Sequence, residues 1–189
     1  MDILSGVLSA FGLSASAGLN AYVPLLIVSL MARYTDWITL APPWDAMASG
    51  WVITAIVLLG LIEFFADKIP AVNHVNDAIQ TVVRPTAGAI LFAANGAVVS
   101  EVHPVLALIA GLLLAGGVHA AKSAAIRPVV TASTGGSGNV PVSLAEDVLA
   151  TVLSILSVVL PIVIGALIIV LTALFVWLLW RRARLTTAA

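Results

Sequence analysis

The run VLATVLSILSVVLPIVIGALIIVLTALFVWLLW, residues 148–180, holds no charged side chain. About 20 apolar residues suffice to cross the hydrocarbon of a bilayer. A helix continuing from Ser143 to Trp180 would reach roughly 55 Å at 1.5 Å per residue. Either one long helix kinks at Pro161, giving five spans in all, or two shorter spans turn near Leu160-Pro161, giving six. The distribution of Lys and Arg favours six. With two spans here, Lys68, Arg84, Lys122, Arg127, Arg181, Arg182 and Arg184 share one side and only Arg33 lies opposite.

Upstream, the same reading gives apolar stretches at 3–32, 48–66, 85–100 and 105–121. The first is interrupted by Ser14, Ser16, Gly18, Asn20 and Pro24, and a loop with Arg33, Tyr34, Asp36, Trp37, Trp44 and Asp45 follows it. Trp and Tyr at the end of a span suit the membrane–water interface. Across all 189 residues, 61% are hydrophobic and only 9% charged, and mean hydropathy is +1.16. A soluble domain carries about 25% charged residues, so most of this surface must face lipid. The expected fold is therefore all-α: a single transmembrane domain over 1–189, a polytopic bundle with broken or re-entrant helices. Met1-Asp2 lacks a basic n-region, so the first helix is read as retained, although Ala15-Ser16-Ala17 mimics a cleavage site.

Polar segments separate the spans. Residues 67–84 and 122–142 are expected to be cytoplasmic-side connectors, with 181–189 a basic cytoplasmic tail. In the first connector Val72, Val75, Ile79 and Val82-Val83 recur near helical spacing, as in an interfacial amphipathic helix. Glu101-Val102-His103-Pro104 reads as a short turn. Ser143 and Glu146 have the form of a capping box opening a helix. A faint repeat runs through the chain: Gly60-Leu-Ile-Glu63 leads to Arg84-Pro85, and Gly116-Gly-Val-His119 leads to Arg127-Pro128.

Ionisable and amide side chains in such spans are costly unless they are paired or hydrated. Asn20, Glu63, Asn95, His119 and Asn139 are therefore candidate residues of a substrate pathway. Glu63 and His119 would form a proton-relaying pair. Lys68, Arg84, Lys122 and Arg127 would gather at one face and attract anions, since guanidinium groups recognise phosphate and carboxylate bidentately. Gly18-Leu-Asn20 and Gly138-Asn139, each ahead of a proline, suggest paired half-helices around one site; Gly88 and Gly96 would flank it. In the first turn of a helix, Glu146 and Asp147 read as caps. No metal-ligand spacing, nucleophile–base motif or phosphate loop is present, and no cofactor is expected. The chain has no cysteine, and its scattered basic residues give no footprint for nucleic acid.

The stretches Ser-Ala-Gly-Leu-Asn-Ala-Tyr-Val-Pro-Leu (16–25), Glu-Phe-Phe-Ala-Asp-Lys-Ile-Pro (63–70), His-Ala-Ala-Lys-Ser-Ala-Ala-Ile-Arg-Pro (119–128) and Thr-Ala-Ser-Thr-Gly-Gly-Ser-Gly-Asn (131–139) resemble a bacterial membrane family catalogued as domain of unknown function 4126. The resemblance implies a bacterial cytoplasmic membrane location and brings no mechanism. The expected function is a small transporter for an anionic or phosphate-bearing small molecule or lipid, with proton coupling through Glu63 and His119. Its partners would be membrane lipids and further copies of itself, because six short spans leave little room for both a pathway and a lipid-shielding wall. An oligomeric channel, a lipid-acting intramembrane enzyme and a non-catalytic assembly factor are the alternatives. Catalysis is left open and disfavoured by the missing motifs.

Overall fold

The structure, a computed structural model, describes residues 3–187 apart from 67, 69, 96, 97 and 99–101; the side chains of 70–74 and 182–187 also lie outside the description. The expectations placed on Asp67, Gly96 and Glu101, and on the side chains of Val72, Arg182 and Arg184, therefore fall outside the described residues.

The chain forms α1 (Ile3–Leu19), α2 (Tyr22–Tyr34), a short 3-10 turn (Trp44–Ala48), α3 (Gly50–Ala66), α4 (Pro70–Ala94) and α5 (Pro104–Ala121). A π-helical turn (Lys122–Ile126) carries α5 into α6 (Arg127–Thr134), and α7 (Asn139–Val159) and α8 (Pro161–Thr187) complete the order. Among the described residues the sole β feature is an isolated bridge between Leu40 and Asn95. The all-α membrane bundle is as expected.

At the centre lies α1. Its small side chains, from Ala10 and Gly12 through Ser14, Ala15, Ser16, Ala17 and Gly18, are all buried, and they let α4, α5, α7 and α8 pack closely around it. In a bilayer such close approach supplies the association energy that the hydrophobic effect cannot. Ser14 Oγ donates to the Gly88 carbonyl at 2.8 Å and Ser16 Oγ to the Ala150 carbonyl at 2.8 Å. A Cβ on Gly18 would come within 2.6 Å of the Ala115 carbonyl oxygen. Ser14, Ser16 and Gly18 are thus packing groups inside a helix, and the break comes later, at Asn20-Ala21.

The structure corrects the reading of 3–32 as one interrupted span. The start of α2 adjoins the end of α1. The loop beyond α2 returns to the start of α1, where Ala41 N–H donates to the Ala94 carbonyl and Asn95 Nδ2 to the Gly6 carbonyl. So α1 and α2 form a hairpin, and α1 begins at this loop end of the bundle. Beyond Leu160-Pro161 the chain forms a separate helix, because Leu160 leaves helical geometry (φ −130°, ψ 57°) and Pro161 starts α8. Gly165 lies against Leu8, and Ile168 packs with Ala15, so α8 runs in the same direction as α1, away from the loop end. The two chain ends therefore approach opposite ends of the bundle, unlike in the six-span arrangement.

The connectors also differ from expectation. Residues 70–94 form one helix through Pro85, ending at Ala94 rather than Ser100. Its polar residues Asn76, Gln80 and Arg84, spaced by four, are buried. Its apolar residues Val75, Ile79 and Val82 face outward, 61%, 53% and 69% exposed. A helix lying on the membrane surface would instead turn its polar face to water. In the second connector, Gly135 and Gly136 take left-handed conformations (φ 62° and 91°) and make a tight turn between α6 and α7. That turn stands where a half-helix around Gly138-Asn139 was expected, and α7 already starts at Asn139, so Ser143 and Glu146 are not its cap. Nor does the faint repeat persist: Arg84-Pro85 lies on a helix returning from Glu63, whereas Arg127-Pro128 continues the direction of His119.

Candidate functional site: a buried charge network

At the end opposite the loop, four basic and four acidic side chains pair off. The deepest pair joins Arg84 Nη2 to Glu63 Oε1 at 2.9 Å, with side-chain exposures of 1% and 2%. Lys122 Nζ lies 2.6 Å from Glu146 Oε2, and Arg127 Nη2 is 3.6 Å from the same oxygen. Through its Nη1, Arg127 also reaches Asp77 Oδ1 at 2.7 Å. Lys68 Nζ lies 3.5 Å from Asp147 Oδ2, above the Phe64 ring. Isolated ions are expelled from a low-dielectric interior, so this mutual pairing is what allows eight charges to collect here.

Each element has a local reason to deliver its residue. Asn20 stands where α1 ends. Its Oδ1 accepts from Tyr22 N–H and Val23 N–H, both at 3.0 Å, capping α2, while its Nδ2 donates to Asp147 Oδ1 at 2.9 Å. The Leu19 carbonyl at the C-terminal end of α1 accepts from Lys122 Nζ at 3.2 Å, a cation where the helix dipole favours one. Lys122 opens the π-helical turn, a distortion frequent at functional sites. The helix resuming beyond it brings Arg127 to both Asp77 and Glu146.

The network brings together Asn20, Glu63, His119, Lys68, Arg84, Lys122 and Arg127 from the sequence-derived set. Glu63 and His119 do not pair: the carboxylate takes Arg84, and His119 Nε2 meets Thr81 Oγ1 at 3.3 Å. Asn95 lies at the loop end, tying α4 to α1. Asn139 sits beside Thr131 across the Gly-Gly turn, with Thr131 Oγ1 donating to its Oδ1 at 3.2 Å, about two helical turns before Glu146.

Sequence reasoning missed Asp77, Gln80 and Thr81, and read Glu146 and Asp147 first as caps, with a cation or proton role as the alternative. The available signal was the four-residue spacing of Asn76, Gln80 and Arg84 opposite an equally regular apolar face. Among the described residues no cluster of metal-ligating side chains occurs. An apolar groove of about 610 Å³ lies between α8, Phe11 and Leu114 and is lined by none of these charges. The chemistry argues for the network over the groove as the site.

These features define a polytopic helical membrane protein with a charge-balanced polar core at one end. The family model described as domain of unknown function (DUF4126) matches residues 7–181, and the chain belongs to that family. The curated proteins and the solved structures give no significant match.

Proposed function

We propose that the protein is a small proton-coupled carrier for an anion, a carboxylate or a phosphate-bearing molecule, working as a homo-oligomer in a bacterial cytoplasmic membrane. The observation that carries this reading is Glu146, whose Oε2 is shared by Lys122 at 2.6 Å and Arg127 at 3.6 Å. An anion that takes this place satisfies both cations, and the guanidinium offers it a bidentate fork. For a singly charged anion, buried charge stays at zero if the displaced carboxylate takes up one proton as the anion arrives, and a dianion needs a second proton. Any other stoichiometry leaves an uncompensated charge in the membrane, at a cost of several kcal/mol. The Leu19 carbonyl then links occupancy to the α1–α2 break, because Lys122 holds that carbonyl and Glu146 at once. Seven of the eight Lys and Arg residues belong to the network end or to the last turns of α8, which supports a cytoplasmic orientation for that end.

The test uses proteoliposomes carrying a lumenal pH dye, challenged with inorganic phosphate, glycerol 3-phosphate or succinate. Wild-type protein acidifies the lumen with at least one of these anions. Glu146→Gln, which mimics the protonated carboxyl, binds the anion but abolishes the associated proton movement. Equal acidification by wild type and Glu146→Gln would refute the coupling, and absence of anion-dependent flux in wild type would refute the carrier.

A further inference from the structure

Gln80 Oε1 and His119 Nδ1, both in the network, have no hydrogen-bond partner among the described residues. Their side chains are almost completely buried, at 2% and 4% exposure. The protonation of His119 follows from its neighbour. The Thr81 hydroxyl has one proton, and its oxygen lies 2.9 Å from the Asp77 carbonyl, which can only accept. That proton is therefore committed, and Thr81 Oγ1 must accept from His119 Nε2–H at 3.3 Å. Burial disfavours a second proton that would charge the ring, and the neutral imidazole protonated at Nε2 leaves Nδ1 as a bare acceptor. Gln80 Oε1 is an acceptor by its chemistry.

Both open atoms thus call for donors. They lie in one layer of the network, since Gln80 precedes Thr81 on α4 and is flanked on its buried face by Asn76 and Arg84. Three residues after His119 on the same side of the helix comes Lys122, one of the two cations that hold Glu146. Orphaned acceptors at such burial destabilise the protein that carries them unless something else supplies the missing protons.

We infer that the anion entering this network brings its own hydrogen-bond donors, a hydroxyl or an amine next to its carboxylate or phosphate. The inference rests on the carrier reading above and narrows its substrate class. The charged group lies on Lys122 and Arg127, and the adjacent donor points to His119 Nδ1 and Gln80 Oε1.

Paired ligands test it on the full-length protein in nanodiscs, with binding measured by calorimetry. The probes are lactate against propionate and glycerol 3-phosphate against methyl phosphate. Wild type should bind the hydroxylated member of at least one pair about tenfold or more tightly, because the partner lacking the hydroxyl leaves buried acceptors unpaired. Gln80→Met keeps the volume and removes one open acceptor, so it should reduce that ratio severalfold and raise the melting temperature of the ligand-free protein. A purely structural glutamine would instead lower the melting temperature on replacement. His119→Phe provides the second arm and should also reduce the ratio. Equal binding within each pair by wild type would overturn the inference and leave the carrier standing. An unchanged ratio in Gln80→Met would also overturn it, whatever the folding of His119→Phe. Failure of wild type to bind any of the four would overturn this inference, whereas the carrier reading falls only with the absence of flux for phosphate, glycerol 3-phosphate and succinate.

Discussion

Of the 17 residues of α3, only Ile56 and Glu63 are classed as buried, and one of these is a carboxylate. The Glu63–Arg84 pair is therefore the principal polar bond docking α3 onto α4. At 2.9 Å and an effective dielectric constant near 20, two unit charges attract by about 6 kcal/mol. Desolvation offsets much of that gain in the intact protein but remains as a penalty for whichever charge is left behind. Removing one partner of a buried pair costs about 3–5 kcal/mol, a large share of a total stability of about 5–15 kcal/mol. Both side chains have further interactions, which moderate the loss without supplying a new counter-charge. Glu63→Gln and Arg84→Gln should each cost about 3–5 kcal/mol in reversible denaturation by SDS in mixed micelles. The double variant Glu63→Leu/Arg84→Met should cost about 2 kcal/mol or more less than the sum of the two single losses, since an apolar pair fills the same space. Hydrogen exchange should show the loss first in α3. If the double variant costs the full sum, the two residues are energetically independent and the docking role is wrong.

Two glycine substitutions should act in opposite directions. A Cβ on Gly111 would run into the Gly88 carbonyl and lie 2.7 Å from Phe92 Cβ, so Gly111→Ala should destabilise by about 1–3 kcal/mol in the same denaturation assay. Gly117 has open space around it, and Gly117→Ala should stabilise by up to about 1 kcal/mol; equal effects at both sites would contradict the close α4–α5 crossing. Because the chain has no cysteine, single cysteines at positions 37 and 137 report topology directly. They should react with impermeant maleimides from opposite sides of the membrane, and a cysteine at position 4 should react from the same side as position 37; its reaction from the opposite side would contradict the hairpin of α1 and α2.

Composition alone revealed the bundle, since 9% charge cannot wet the surface of 189 residues. The gathering of Lys68, Arg84, Lys122 and Arg127 was legible because Lys and Arg positions track membrane sides. Their partners were not. Glu146 and Asp147 stand just after Ser143, where a helix start explains them locally, and only the Gly135-Gly136 turn moves that start back to Asn139. The α1–α2 hairpin was hidden for a related reason. A run of small residues from Ala10 to Gly18 has the same composition whether it breaks a span or lets four helices press against it. Which of these occurs depends on residues far along the chain, such as Gly88, Ala115 and Ala150.

The same ambiguity governs α4 and explains why the network exists. Val75, Ile79 and Val82 on one face and Asn76, Gln80 and Arg84 on the other form a strong amphipathic pattern, but a pattern fixes only the two faces, not which of them meets solvent. At a membrane surface the polar face would point to water. Here Glu63 and the other three acids are available inside the bundle, so each buried cation finds a carboxylate and the apolar face is free to meet lipid. The orientation of α4 thus follows from charge balance. Without Glu63, Arg84 would have to turn outward to water, taking the polar face of α4 with it. Conversely, a core neutral only through internal pairing holds cations whose partners another anion can replace, provided a proton restores the balance. The arrangement that makes the fold tolerable in lipid is therefore the same one on which the proposed exchange at Glu146, between Lys122 and Arg127, rests.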